Sequence, residues 1–308
     1  MTPQQIFFNK HGRLRSGFRF TVFLVSYIAL ASFLSYAFIL LLSGLPVGAG
    51  QNSLVTMVGT FSIFSLTGIF LGWFYGRSLE GVPFRALGIW ITKNWFINLA
   101  AGLLVGAASI GLAALIPFAS GSLSFEANRT AGSSAVLLTL SVTLLLFIVG
   151  AVSEEIVFRG YLLQTMTRSK LFLVGAFLTS LLFASAHNSN PGANLFSWLN
   201  TFIAGIWFCV AYLKTRDLWF PTGIHLAWNW VQGSILGISV SGLGDLATAP
   251  LMRVEDLGPV WLTGGSYGIE GGLACTIALI ISTFAVWFLP LPKPSEEMLE
   301  LTGEEVRG

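Results

Sequence analysis

The stretch VLLTLSVTLLLFIVGAVSEEIVFR, residues 136–159, decides the fold. An apolar run from Val136 to Val152 continues without a turn signal into two adjacent glutamates and then Arg159. A helix needs roughly 20 residues to cross the hydrocarbon core of a bilayer, and most of that length is present in this run. The stretch therefore predicts a membrane helix whose charged residues lie within or close to the membrane.

The composition of the whole chain agrees with a membrane protein. Hydrophobic types make up 54% of the 308 residues and charged types 10%, whereas a soluble domain carries about 25% charged residues. The net charge of +2 is too small to indicate nucleic acid, so the expected partner is the lipid bilayer. Cys209 and Cys275 lie in apolar runs and lack metal-ligand spacing.

Eight apolar segments are long enough to be membrane helices, so we predict an all-α, polytopic bundle of about eight transmembrane helices. The first run, of about 25 residues, is too long for a cleavable signal peptide. The last stops at the Pro290, Pro292 and Pro294 cluster, because proline cannot continue a helix. The predicted segments are 18–44, 53–75, 95–118, 134–158, 171–188, 196–214, 219–238 and 271–290.

Lys and Arg residues are distributed unequally between the two predicted faces. With the N-terminus in the cytosol, the alternating loops place 14 of them on the cytosolic side and 2, Arg129 and Arg253, on the other. Cytosolic loops carry an excess of Lys and Arg, so both termini are predicted to be cytosolic. The 14 are Lys10, Arg13, Arg15, Arg19, Arg77, Arg85, Lys93, Arg159, Arg168, Lys170, Lys214, Arg216, Lys293 and Arg307.

The chain is predicted to form one transmembrane domain, residues 1–294, with a motif-bearing core at 134–238. Residues 295–308 form a polar tail that we expect to be mobile. The Gly- and Pro-rich stretch 239–270 is predicted to be one long loop. On the orientation above, this loop lies outside, away from a presumed cytosolic entrance to the site.

The two carboxylates at the end of the fourth segment are the first candidates for chemistry, because a charge within a bilayer costs about 2.5–3.5 kcal/mol and usually marks function. On a helix, Glu155 and Arg159 share a face and can form an ion pair. Glu154 is rotated by about 100° from its neighbour and lacks that partner. A free carboxylate in a low-dielectric pocket suits a general base. Alternatively, both glutamates belong to an exposed helix end.

Two histidines in apolar segments extend the candidate site. His225 and Asn229 are four residues apart and face the same way, so they can offer two donors to a developing oxyanion. Alternatively, they form hydrogen bonds between membrane helices. We expect the fourth helix to continue past its charged residues to about Arg168, because residues 161–166 contain no helix breaker. Measured from the basic loops, His187, His225, Asn229 and Glu154 then lie roughly 13–25 Å deep.

Three motifs together resemble a known family. Glu154-Glu155-x-x-x-Arg159, Phe183-x-x-x-His187 and His225-x-x-x-Asn229 are similar to the successive motifs of the type II CAAX prenyl endopeptidases. This family is also called the CAAX protease and bacteriocin-processing family. The resemblance covers residues 154–229 and implies an eight-helix intramembrane glutamic endopeptidase. Its implied substrate is a membrane-associated protein or peptide, such as a prenylated CAAX protein, and bacterial relatives are linked to bacteriocin maturation or immunity.

The resemblance also implies a role for each motif residue. Glu154 would activate a water with the help of His187, while His225 and Asn229 would bind the oxyanion. The supporting residues would be Glu155 and Arg159, which hold the shape of the site, and Phe183, which packs before His187. The short loops fit a prokaryotic member in the cell (inner) membrane.

No cofactor is expected, because the resemblance implies a mechanism that does not use a metal. One glutamate and two histidines could nevertheless bind zinc, although the sequence contains no His-Glu-x-x-His motif. Two other function classes also stay open. The chain could be a non-catalytic scaffold or immunity protein on the same fold, or a transporter, although it lacks the repeated halves typical of transporters.

Overall fold

The structure is a computed structural model that describes residues 6–9, 12–44, 53–288, 290 and 293–303. Several positions used above lie outside the described residues: Lys10, His11, Pro292 and the tail end 304–308.

Helices occupy all eight predicted segments in the described part of the chain. Five of them, α1, α2, α3, α4 and α6, are long and apolar enough to cross a membrane, while α5 and α8 are shorter apolar helices. The count of eight spans and the cytosolic termini stay predictions. The bounds are α1 Ser16–Ser43, α2 Ser53–Tyr75, α3 Trp95–Ala119, α4 Ser133–Arg168, α5 Phe172–Ala186, α6 Leu195–Thr215, α7 Trp219–Trp230 and α8 Leu273–Phe288.

Helix α4 continues to Arg168, beyond the apolar span 134–158, as expected from the absence of a helix breaker in residues 161–166. Its hydrogen bonding widens to a π-helical turn over Ile156–Leu162, a feature that is frequent at functional sites. The Arg159 side chain is fully buried in the helix bundle, so this residue does not lie in a cytosolic loop. Without Arg159, the predicted cytosolic side has 13 Lys and Arg residues and the opposite side has 2. The alternative that the two glutamates and Arg159 mark an exposed helix end is wrong, because Arg159 is buried and paired with Glu155.

Two other predicted ends also differ from the structure. Helix α5 stops at Ala186, so His187 follows the helix, and its backbone N–H donates to the Ala184 carbonyl at 3.1 Å. Helix α7 gives way to a second π-helical turn, Val231–Ile235, before residue 238. The turn Asn188–Gly192 after α5 contains Pro191, which ends the helical hydrogen bonding.

The fold is not purely α-helical. Strands β1 Leu123–Ala127 and β2 Met252–Asp256 pair antiparallel, with Leu123 opposite Asp256. The predicted loop 239–270 contains β2, a helical turn at Val260–Thr263 and several 3₁₀ turns. Each strand has five residues, too few to be recognised by alternation, and the two partners are far apart in the sequence.

Part of the tail predicted to be mobile is a packed helix. Helix α9, Glu296–Thr302, starts at Ser295, whose hydroxyl accepts a hydrogen bond from the Met298 backbone N–H at 3.2 Å. Met298 and Thr302 are buried against the bundle. The predicted mobility is therefore wrong for residues 296–302.

The helix ends gather at two opposite ends of the bundle. At one, the basic end, Glu80 contacts Arg168 at 2.6 Å and Arg19 at 3.4 Å. Asn98 donates to Asp217 at the same end. The other, the loop end, holds the β1–β2 sheet and the loop 236–272.

Helices α3 and α7 approach each other closely through glycines. A Cβ at Gly106 would lie 2.3 Å from the Ile224 carbonyl oxygen, and a Cβ at Gly102 would lie 2.3 Å from that of Phe220. Small residues permit such backbone contact between membrane helices. Because Ile224 precedes His225, this contact fixes the position of the histidine.

We predict that Gly106→Ala destabilises the protein, because the added methyl group has no space and overpacking costs about 1–3 kcal/mol. Thermal unfolding in detergent should show a Tm lowered by about 3 °C or more. The matched control is Gly111→Ala on the same helix, where a Cβ meets nothing within 4 Å. Equal Tm values for the two variants would contradict the close contact.

Candidate active site

A buried ion-pair network joins the first and third motifs. Glu155 Oε1 accepts hydrogen bonds from Arg159 Nη1 at 3.1 Å and from His225 Nδ1 at 2.9 Å. The Arg159 guanidinium also donates from Nη2 to the Gly205 carbonyl of α6 at 3.2 Å. All three side chains are almost completely buried. The predicted pair of Glu155 and Arg159 is therefore present, and it reaches both α6 and α7.

Glu154 does not share the pairing with Arg159, as expected from its rotation around the helix. Its side chain is 26% exposed, and Oε2 lies 3.6 Å from His225 Nε2. None of the described residues hydrogen-bonds this oxygen. His225 therefore lies between the two adjacent carboxylates. One carboxylate is engaged by Arg159, and the other is directed into an open cavity.

His187 lies on the far side of Phe183 from His225. Its Nδ1 donates to the Phe183 carbonyl at 2.8 Å, which leaves Nε2 as an acceptor in the neutral ring. The Phe183 ring is 4.8 Å from the His187 ring and 6.1 Å from the His225 ring, between centroids. The turn after α5 thus presents an imidazole nitrogen toward the same space as Glu154.

One cavity of about 350 Å³ brings these side chains together. Glu154, His187, His225 and Asn229 all line it, although they come from α4, the turn after α5, and α7. Much of the remaining wall is apolar, including Phe61 and Phe64 of α2 and Tyr27 of α1. A concave, mostly apolar cavity with a few polar groups is the usual form of a site for an organic ligand.

Phe183 does more than pack before His187. The Arg159 guanidinium carbon lies 4.7 Å from the Phe183 ring centroid and 4.8 Å from that of Phe208. Aromatic faces attract a cation, especially where water is excluded. The Phe208 ring also stacks on His225 at 4.7 Å. The two rings therefore hold the arginine and the histidine in place.

A comparison with protein families agrees with this geometry. Residues 136–231 match the sequence model of the family described as Type II CAAX prenyl endopeptidase Rce1-like. The resemblance carried by the three motifs is confirmed. A comparison with curated proteins found no match. The Rce1-like family is a protease family, so the match supports a protease, and five helices long and apolar enough to cross a membrane support an integral membrane protein.

The Rce1-like segment does not contain every polar group of the cavity. Glu270, from the loop end, also lines it. Glu270 Oε1 accepts from Trp228 Nε1 at 3.0 Å, and Oε2 accepts from the Ser241 backbone N–H at 2.6 Å and hydroxyl at 2.7 Å. Glu270 is not among the site residues predicted from the sequence. Its signal was a single charged residue in the otherwise uncharged, Gly-rich stretch 258–272.

The long loop 239–270, whose role the sequence leaves open, forms part of the site. Val240, Ser241, Leu243 and Leu246 line the cavity together with Glu270. The loop is a wall of the site, and its hydrogen bonds to Glu270 fasten it to α7.

No group of three or more His, Cys, Asp or Glu side chains in the described residues is arranged to hold a metal ion. Whether the site works without a metal stays a prediction from the family resemblance.

We predict that Arg159→Met strongly destabilises the protein. The change leaves the buried Glu155 carboxylate without its arginine, and breaking a buried pair costs about 3–5 kcal/mol. Thermal unfolding in detergent measures the loss.

The matched control is Arg85→Met, which breaks an ion pair with Glu297 whose side chains are 52% and 38% exposed. An exposed pair contributes about 0–1 kcal/mol, so this Tm should hardly change. Similar losses in the two variants would argue against a supporting role for Arg159.

Proposed function

We propose that the protein hydrolyses a peptide bond of a membrane-associated polypeptide, with Glu154 as the general base. The observation that carries this proposal is the different environment of two adjacent carboxylates. Glu155 is buried and bonded to Arg159 and His225, whereas Glu154 lines the cavity with a side chain that is 26% exposed, and no described residue hydrogen-bonds its Oε2, which faces His225. A base must be free to accept a proton, and Glu154 meets that requirement.

The first step is the attack of water on the peptide carbonyl. A water held between Glu154 and the Nε2 acceptor of His187 transfers one proton to the glutamate. The resulting hydroxide forms a bond to the carbonyl carbon, whose π electrons move onto the oxygen. Both side chains line the same cavity, which gives them access to one water. His187 acts here by orienting the water.

The second requirement is stabilisation of the oxyanion. Asn229 lines the cavity one helical turn after His225 on α7, and its side-chain amide can donate to a negative oxygen. His225 Nδ1 already donates to Glu155, so its Nε2 donates only when the ring is an imidazolium. The oxyanion role of His225 thus requires that form of the ring.

Collapse of the tetrahedral intermediate completes the reaction. The carbonyl is restored, the C–N bond breaks, and the amine leaves with the proton that Glu154 received. Glu154 is then ready for another water. The sequence resemblance extends this proposal to a prenylated, CAAX-like substrate, and the apolar wall formed by α1 and α2 is compatible with a lipid chain.

We expect Glu154→Gln to abolish cleavage of a fluorogenic reporter peptide, because an amide cannot accept the proton from water. The loss should be about 10²–10⁴-fold or more. Cleavage is measured with the purified protein in liposomes, and thermal unfolding verifies the fold. The control is Glu126→Gln, an exposed acid on β1 far from the cavity. Undiminished cleavage by the Glu154 variant would disprove the assignment.

A second variant tests the oxyanion role. Asn229→Ala should reduce kcat by about 10²–10³-fold with a small change in KM, because a lost oxyanion donor weakens the transition state. Asn188→Ala, in the exposed turn after α5, is the matched control. If the Asn229 variant changed KM alone, the side chain would bind substrate without stabilising the oxyanion.

The expected absence of a metal is tested in the same assay. Incubation with a chelator and dialysis should leave cleavage unchanged, because the proposed base and donors are all side chains. If activity were lost and then restored by zinc, a metal mechanism would replace this one.

A further inference from the structure

The direction in which the cavity opens can be read from its lining. Five lining residues, Val240, Ser241, Leu243, Leu246 and Glu270, belong to the loop 236–272 at the loop end. Asn190, in the turn after α5, also lines it. No described lining residue belongs to the loops of the basic end, 81–94, 169–171 or 216–218. The cavity is therefore walled and reached from the loop end.

The rim of the cavity is accessible at that end. Ala186 lines the cavity and is exposed, as is the adjacent Ser185. Deeper in the cavity, Glu154 retains partial exposure. Ser185, Ala186 and Glu154 therefore mark a path from the end of α5 to the proposed general base.

The basic end is closed by a packed layer. Between Glu154 and Arg168, helix α4 is buried at Ile156, Leu162 and Leu163. Beyond them, Arg168 donates to Glu80 at 2.6 Å and to Gln164 Oε1 at 3.1 Å. Buried ion pairs of this kind are costly to open, because an uncompensated charge would remain.

Helix α9 covers part of the same end. Met298 of α9 has no exposed surface, and Glu297 contacts Arg85 at 2.7 Å. A substrate that approached from the basic end would have to displace this helix and the ion-pair layer. Among the described residues, nothing at the loop end would require such a rearrangement.

The charge distribution relates these ends to the two sides of the membrane. Among the described residues, the basic end carries 11 Lys and Arg residues, and the loop end carries Arg129 and Arg253. Basic loops face the cytosol. The end through which the cavity opens is consequently the extracytoplasmic end.

The geometry points to a site that takes its substrate from the extracytoplasmic face of the membrane. Resting on the proposed hydrolase function for its chemistry, this inference makes the substrate a polypeptide that has been exported, or that displays the cleaved segment on the outer face. A prenylated protein anchored on the cytosolic leaflet would then face the closed end.

The charged residues that line the cavity further restrict which polypeptide segments can bind. The described lining includes the carboxylates Glu154 and Glu270 and neither Lys nor Arg. Acidic side chains close to the scissile bond would be repelled. The favoured segment is therefore apolar or basic.

Cysteine labelling tests the direction of opening without any need for activity. Ala186→Cys and Leu243→Cys report on the loop end, and Ile91→Cys, which is 66% exposed, reports on the basic end. The wild-type chain, whose Cys209 and Cys275 are buried, gives the background. The probe is a charged, membrane-impermeant thiosulfonate added to intact cells.

We expect the probe to label Ala186→Cys and Leu243→Cys in intact cells, and Ile91→Cys only after permeabilisation. Labelling of Ile91→Cys in intact cells, with the other two protected until permeabilisation, would overturn the inference.

A pair of reporters tests the substrate class. One apolar segment without acidic residues is placed in two single-pass fusions, on the outer face in one and on the cytosolic face in the other. Each is co-expressed with the wild-type protein or with Glu154→Gln. We expect cleavage of the outer-face fusion by the wild-type protein alone, and cleavage confined to the cytosolic fusion would overturn the inference. Cleavage of neither fusion, with the labelling pattern as expected, would count against the proposed hydrolase function and not against the outward opening.

Discussion

The structure depends on the compensation of one buried charge, the guanidinium of Arg159. In the interior of a bundle, an unpaired cation would be prohibitively costly. Arg159 is instead engaged by Glu155 on its own helix, by a backbone carbonyl of α6, and by the faces of Phe183 and Phe208. Glu155 in turn holds His225 of α7. Helices α4, α5, α6 and α7 therefore all contact Arg159 or its partner Glu155, and these contacts set the relative positions of the three motifs.

This compensation also separates the two glutamates. They are neighbours in sequence, but the helical rotation between them directs one into the network and the other into the cavity. The π-helical turn begins directly after them, at Ile156. A protein can thus place a structural carboxylate and a candidate base next to each other, because the helix gives them different surroundings.

The two ends of the bundle are held together by different interactions. The basic end is fastened by ion pairs among Arg19, Glu80 and Arg168 and is partly covered by α9. The loop end is built from strands, turns and glycine-rich segments that surround the cavity, with Glu270 bonded to Ser241 and Trp228. Helices hold Glu154, His225 and Asn229, and loops form part of the cavity wall. Such a division is common in enzymes, where loops on a rigid scaffold carry function.

The sequence by itself determined the eight apolar segments, the pairing of Glu155 with Arg159, and the candidate residues of the site. Each depends on local spacing: about 20 apolar residues per span, and four residues between side chains on one helical face. Only the tertiary structure decided that Glu155 also binds His225, and that the loop 239–270 and Glu270 form part of the cavity. These features join residues far apart in the chain. Helical periodicity describes one helix at a time, so contacts between helices and loops become visible when the whole chain is packed.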